Sequence, residues 1–321
     1  MRSSNAFRLT HALTGVFLAL TSMPVLADTY VCAGDSIRVF ADDAGLGSSP
    51  IRTITGATAG IAECYAVALD NLHGELWVTT QSTIRAFPMR AEGDAAPLRT
   101  ITGPTLFALG LAVDVEADEI YVGTPGGNIF VYPRTGNGSP APLRSIQGNP
   151  SLGNVVGLFV DRINDELYAV SYQGAIVVFS RTANGNASPL RPFTTATQPF
   201  GLVVDAHGNE VFLATGTGSV SVYDRNGALV RSIIGSNLTK STGLALRQDG
   251  SLLVGNQYLS STTQDAVFVY PRMQSGDASP LNDINLAAPL QRSAWGVATS
   301  RAFECSEGQT TSSCLFRAGF E

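Results

Sequence analysis

The chain has 321 residues, of which 44% are hydrophobic and only 14% charged, and a formal net charge of −6. Lys240 is its single lysine. With no basic stripe, the sequence excludes a nucleic-acid or anionic-lipid footprint.

Residues 1–27 read as a secretory signal peptide: Arg2 and Arg8 precede an apolar stretch from Ala12 to Leu20, and Val25-Leu26-Ala27 precedes a cut at Asp28. That stretch is too short to span a membrane and no later one is long enough. The expectation is an exported chain, periplasmic or extracellular, with no membrane span. Residues 28–300 form one domain in this reading, and 301–321 a tail.

From Thr29 onward one pattern recurs about every 45 residues. An apolar run ending in Asp appears as Val67–Asp70, Leu111–Asp114, Leu158–Asp161 and Leu202–Asp205, and again as Leu244–Arg247, where the acid is lost. A second column reads Glu75–Val78, Glu119–Val122, Glu166–Ala169 and Glu210–Leu213. A third alternates and nears its end on an aromatic: Ile37–Phe40, Ile84–Phe87, Ile129–Tyr132, Ile176–Phe179, Val220–Tyr223 and Val267–Tyr270. A fourth carries an arginine: Arg52, Arg99, Arg144, Arg191 and Arg231.

Short runs of Val, Ile, Leu and aromatics bounded by Gly, Asp, Asn and Pro are strands, and no segment between them keeps a helical period. One such unit cannot bury its apolar face alone, so the repeats must stack. Four strands per unit (a to d, from the axis outward) closed radially give an all-β fold, a β-propeller. The chain opens on strand b at Thr29–Cys32, and the missing strand a appears at Trp295–Thr299. The count is six blades of four antiparallel strands, the first closed by the C-terminal strand.

These columns resemble NHL-type repeats over roughly Thr29 to Thr299. The linker from Arg181 to Arg191 and the Gly-Phe-Glu end resemble features of exported bacterial proteins. The resemblance implies a six-bladed propeller; propellers of this type host lactonases, lyases, ligand sensors and protein-binding scaffolds, so activity must be argued from the site.

Four cysteines in an exported chain argue for disulfides, with three pairings open. Cys32–Cys64 with Cys305–Cys314 is favoured, because late strand b of blade 1 and the entry to strand a of blade 2 lie on one rim. Cys32–Cys305 is the competitor. The spacings match no zinc pattern, and a metal site is not expected.

The recurring aspartates suit a turn role, accepting bonds from the turn's own amides. The arginines suit ion pairs or coverage of apolar surface. Residues that break the repeat are better candidates for function. At the start of strand a, one column reads Tyr65, Leu109, Val156, Phe200, Thr242, Trp295. Tyr65, Phe200 and Trp295 are the candidate ligand residues, either as an apolar platform or as a plug of the channel. Calcium lactonase chemistry needs Glu and Asn or Asp converging on the axis; Glu63, Asn154 and Asn256 sit at different heights. His73 and His207 are too few and too far from the mouth for a zinc lyase, and no nucleophile elbow is present. The leading expectation is a monomeric, non-catalytic scaffold without cofactor, binding a protein, peptide or glycan at the mouth or rim. The alternative is a calcium-dependent lactonase-like hydrolase.

Overall fold

The computed structural model describes residues 28–103, 107–195, 198–257, 265–286 and 293–300. Six antiparallel sheets stand in a ring, each with its strand a innermost. Blade 2 shows the plan: Ala66–Asp70, Glu75–Thr79, Thr83–Pro88 and Arg99–Thr102 pair in sequence order. Strand b there is wholly buried and strand d partly open, as expected from their composition.

Blade 1 is made from both ends of the chain. Ser293–Thr299 pairs antiparallel with Asp28–Ala33, which pairs with Ser36–Ala41 and then Arg52–Ile54. Thr299 lies opposite Thr29 and Val297 opposite Val31. The six-blade count and the closing strand are thus as the repeat predicts.

The core is not central. It is divided into six clusters, each filling the seam between two neighbouring blades. Along the axis the inner strands approach too closely for side chains. A Cβ on Gly201 would lie 2.5 Å from the Thr242 carbonyl oxygen, and one on Gly296 would lie 2.8 Å from the Val67 nitrogen. The column Ala66, Gly110, Gly157, Gly201, Gly243, Gly296 is therefore small for packing reasons.

Within blades, the first residue of strand b holds the arginine of strand d. Arg191 binds Glu166 through two bonds of 2.6 Å and lies 5.8 Å from the Tyr168 ring centre. Arg144 binds Glu119 and covers Tyr121; Arg99 binds Glu75 and covers Trp77; Arg231 binds Glu210 and covers Phe212. Burial pushes the Glu119 and Glu166 carboxyls up, but bonds from the arginines and tyrosines more than offset it and leave both below the usual range. In blade 6 all three positions change together, to Ser251, Leu253 and Asn282, and Asn282 instead donates to the Ala44 carbonyl at 2.7 Å.

Between blades, the linker after strand c reaches back to the preceding strand d. Gly93, Gly138, Gly185 and Gly276 each form a parallel bridge, to Ile54, Ile101, Ile146 and Ile233. The sequence reading of four strands per blade had no place for this. The bridge adds Gly276–Asp277 to the blade 5 sheet as a fifth strand. All four glycines have φ between 64° and 72°, the left-handed region that a side chain resists. In blade 1 the same position is Leu46, which is exposed, and no such bridge occurs there.

Cys32 and Cys64 form a disulfide joining blade 1 to the entry of blade 2, as favoured from sequence. Cys305 and Cys314, and the competing pair to Cys32, involve residues outside those described. Both bonded cysteines are buried, and they close a loop spanning 32 residues. Such a closure stabilises by about 3–4 kcal/mol on chain-constraint arguments. Replacing both cysteines with Ala should lower the denaturant midpoint by at least that equivalent; an unchanged midpoint would show that this seam does not depend on the bond.

Candidate channel-mouth site

The a–b turns crowd one face of the ring, and the b–c turns with the d–a linkers crowd the other, which is the channel mouth. The two faces carry different chemistry.

On the first face the repeated aspartates do accept turn amides. Asp70 receives His73 N at 2.9 Å, Asp114 receives Ala117 N at 3.1 Å, Asp161 receives Asn164 N at 3.1 Å and Asp205 receives Gly208 N at 2.9 Å. The turn reading is correct but incomplete. All four carboxylates are buried, and three of them meet an arginine of the next blade. Asp114 pairs with Arg181 at 2.9 Å and also with Arg162; Asp205 pairs with Arg272; Asp70 lies 3.5 Å from Arg134. At Asp161 the contact passes through Asn164, which holds Arg225 at 2.8 Å, while Arg225 also binds Glu166 at 2.7 Å.

Arg134, Arg181, Arg225 and Arg272 occupy one column of the repeat, two residues after the aromatic of strand c, whereas Arg162 directly follows Asp161. The same column reads Asp42 in blade 1, and the turn position of blade 6 is Arg247. The two meet at 2.9 Å with their charges reversed, as a close ionic contact without an aligned hydrogen bond. At the seam between blades 1 and 2 the pair is Ser300 and Met89, both uncharged. That seam carries the disulfide, together with a 3.0 Å bond from the Tyr30 hydroxyl to the Met89 carbonyl.

At the mouth, the structure places Tyr65 and Phe200 in separate clusters. Tyr65 is half-buried, its ring centre 5.9 Å from that of Phe107, and its hydroxyl donates to Glu63 at 2.7 Å. Phe200 is buried beneath Tyr172, edge to face with ring centres 5.5 Å apart. The Lys240 nitrogen lies 4.5 Å from the Phe200 ring centre. Trp295 lies on the closing strand, and its side chain is outside the described residues.

Lys240 is held from behind. Asn256, fully buried at the end of strand b, accepts the Thr239 and Lys240 amides at 2.9 and 3.2 Å. Gln257 N donates to the Lys240 carbonyl at 2.9 Å. Burial pushes the amine below its ordinary range, against the opposing pull of Asp265.

Of the residues weighed for calcium, Asn256 spends its oxygen on these two amides and Glu63 accepts from Tyr65. The Asn154 backbone N–H donates to the Gln173 side-chain oxygen at 2.8 Å. Among the described residues no three His, Cys, Asp or Glu side chains gather as a metal set.

Phe107, Tyr172 and Lys240 were not legible as site residues from the mouth column alone. Phe107 and Lys240 fall two residues before it, in a column that also contains Glu63, Asn154 and Gln198. Reading that second column through the repeat would have found both. Tyr172 sits in the b–c turn of blade 4, where the repeat gives no register.

No protein-family model matches the chain, and no curated protein matches it. Solved structures do. One is the WD40 β-propeller domain of Doa1, 15% identical, covering 84% of this chain and 82% of that one at a TM-score of 0.57. Another is a protein of unknown function from Bacteroides caccae, 13% identical, covering 86% and 99% at a TM-score of 0.65. At these identities the likeness establishes the β-propeller fold alone.

Asp114 tests the double role of the turn aspartates. Asparagine keeps the turn bond but removes the charge that Arg162 and Arg181 share. Asp114→Asn should lower stability by about 2–3 kcal/mol, since breaking one side of a buried pair is costly. A loss under about 0.5 kcal/mol, typical of surface changes, would leave the turn as its only role.

Proposed function

We propose that this propeller is a non-catalytic scaffold whose channel mouth binds a protein or peptide segment. One observation carries the reading. Two aromatic clusters, Tyr65 with Phe107 and Tyr172 with Phe200, stand on one face, Phe200 on an inner strand and the other three on loops fixed by a rigid ring. Tyr65, Phe107 and Tyr172 are only half-buried. A few aromatics held in place can anchor most of a binding energy, because little side-chain entropy remains to be lost. Phe200 is the floor of its cluster, and Tyr172 is the part that a partner can touch.

The NHL-type resemblance and the leader-like residues 1–27 extend the proposal: the mature protein begins at Asp28 and works outside the cytoplasm as a monomer. The Cys32–Cys64 disulfide supports an oxidising compartment. No helix among the described residues is long and apolar enough to cross a membrane.

Peptide libraries selected on the mature protein provide the test, with Tyr65→Ala/Tyr172→Ala as the comparison. Peptides bound by the unmodified protein should lose at least tenfold in affinity on the double variant, while the melting temperature stays within a few degrees. Equal binding to both proteins would move the site elsewhere. Calcium-dependent hydrolysis of a lactone by the pure protein, abolished by chelation, would replace the scaffold with an enzyme.

A further inference from the structure

Four seams are latched at the outer rim by a linker glycine that pairs with strand d of the preceding blade. Gly93 N donates to the Thr53 carbonyl at 2.7 Å, Gly138 N to Thr100 at 2.8 Å and Gly185 N to Ser145 at 2.7 Å. Gly276 pairs with Ile233 in the same parallel sense. Between blades 4 and 5 the linker is a tight turn, closed by Asp224 N to the Ala228 carbonyl at 2.9 Å, and Phe193 of strand d fills the space. Its ring centre lies 5.5 Å from that of Tyr223, and a Cβ on Gly227 would come within 2.6 Å of it.

Between blades 6 and 1 neither device is present. The blade 1 linker folds on itself, with Ser48 N donating to the Gly45 carbonyl at 2.9 Å and Gly45 N to the Ser48 hydroxyl at 3.0 Å. Among the described residues no segment pairs with the outer edge of Asn282–Asn285, strand d of blade 6. A groove of about 580 Å³ opens there, lined by Leu46, Ser48, Pro50, Thr53, Thr55 and Leu286.

We propose that this groove takes an extended, glycine-containing segment of a partner protein, which pairs parallel with Asn282–Asn285 as the linker glycines pair in the latched seams. The site lies on the rim and goes beyond the mouth reading above; neither depends on the other.

Three observations support it. The first is register. Ile284 lies opposite Val267 of strand c as Ile54 lies opposite Ile37. The Asp283 carbonyl is therefore the counterpart of the Thr53 carbonyl that holds Gly93, and a carbonyl oxygen has two lone pairs with which to accept an incoming N–H. The second is residue type. The linker from Phe40 to Pro50 is as long as that from Phe87 to Pro97, but its glycine position is Leu46. All four latching glycines have φ between 64° and 72°, which an L-residue resists. The third is the lip of the groove, where Leu46 is 73% exposed. Main-chain pairing gives such sites their affinity, and side-chain contacts of this kind give selectivity.

The latched seams also define the occupant. Their glycine is followed by Asp94, Ser139, Asn186 or Asp277. Asp94 shows what a carboxylate does there: it accepts Thr58 N at 2.7 Å and Ala59 N at 2.9 Å, beyond strand d. In blade 1 that position is Gly47. A partner segment with Gly-Asp or Gly-Asn in extended form supplies what the blade 1 linker lacks.

The probe is a blocked peptide copying residues 90–97, titrated into the ¹⁵N-labelled mature protein. The amide signals of Asp283, Ile284 and Gly47 should shift. Replacing the peptide's glycine with L-Ala should weaken binding about tenfold and D-Ala should keep it, because only the D-residue favours positive φ. Leu46→Gly/Gly47→Asp gives blade 1 the Gly-Asp of blade 2 and should abolish peptide binding, with the melting temperature showing that the variant folds. Tyr65→Ala/Tyr172→Ala should leave peptide binding unchanged, which separates the groove from the mouth. Equal binding of the glycine and L-Ala peptides to the unmodified protein would overturn the pairing geometry, whatever the variants do. Binding that survives Leu46→Gly/Gly47→Asp would rule out the groove, and binding lost in Tyr65→Ala/Tyr172→Ala would move the peptide to the mouth. Shifts of the same amides on dilution of the free protein would make a second copy the occupant, and nuclear Overhauser contacts from residues 301–321 to Leu46 would make it the chain's own tail; either result contradicts a partner segment. No binding would sink the proposal and leave the mouth reading untouched.

Discussion

A propeller has no central core, so the ring holds only as well as its seams. Apolar side chains fill each seam, but apolar packing does not by itself fix how far one blade slides past the next. The buried aspartate at four of the six a–b turns does. One carboxylate oxygen closes its own turn, and the same group reaches a base on the following blade, directly at Asp70, Asp114 and Asp205 and through Asn164 at Asp161. Burying a charge is costly unless it is paired and hydrogen-bonded. That cost gives the contact its specificity, because a slipped seam would leave a carboxylate buried and alone.

The two exceptions fit the same rule. Where the turn residue is a base, Arg247, the facing residue is an acid, Asp42. Where both partners are neutral, Ser300 and Met89, the seam has a covalent bond between Cys32 and Cys64. This second seam borders blade 1, whose strands come from both ends of the chain. The ring is thus fastened by a disulfide beside the blade where it would otherwise open.

How much of this was legible depends on how far apart in sequence the interacting residues lie. The blades were, since each is a run of consecutive hairpins whose period survives even where single residues change. The Arg–Glu pairs within blades were half legible: an acid was expected, but the strand b glutamate emerges only when strands b and d are both registered on strand c. The inter-blade pairs were not legible. Asp114 and Arg181 are 67 residues apart, and nothing in one repeat shows that its turn faces the next repeat's linker. The exchanged charges of Arg247 and Asp42 were the available signal, but it appears only when two columns are compared between adjacent blades. At the mouth, Tyr65 and Phe200 stand out in the sequence because they break a column that elsewhere holds Leu109, Val156 and Thr242. Tyr172 was hidden in a turn, and Lys240 in a column not read for charge.

At the five seams that carry them, the clamps depend on opposite charges facing each other across the seam. The most direct measurement is a double-mutant cycle by denaturant unfolding at the one reversed seam, using Arg247→Asp, Asp42→Arg and both together. Each single change should destabilise strongly, since it sets like charges against each other. The double change restores the polarity of the other seams and should recover most of the loss, giving a coupling energy of about 2 kcal/mol or more, within the range for residues in contact. Additive losses in the double variant would contradict the account and leave apolar packing alone to hold the ring.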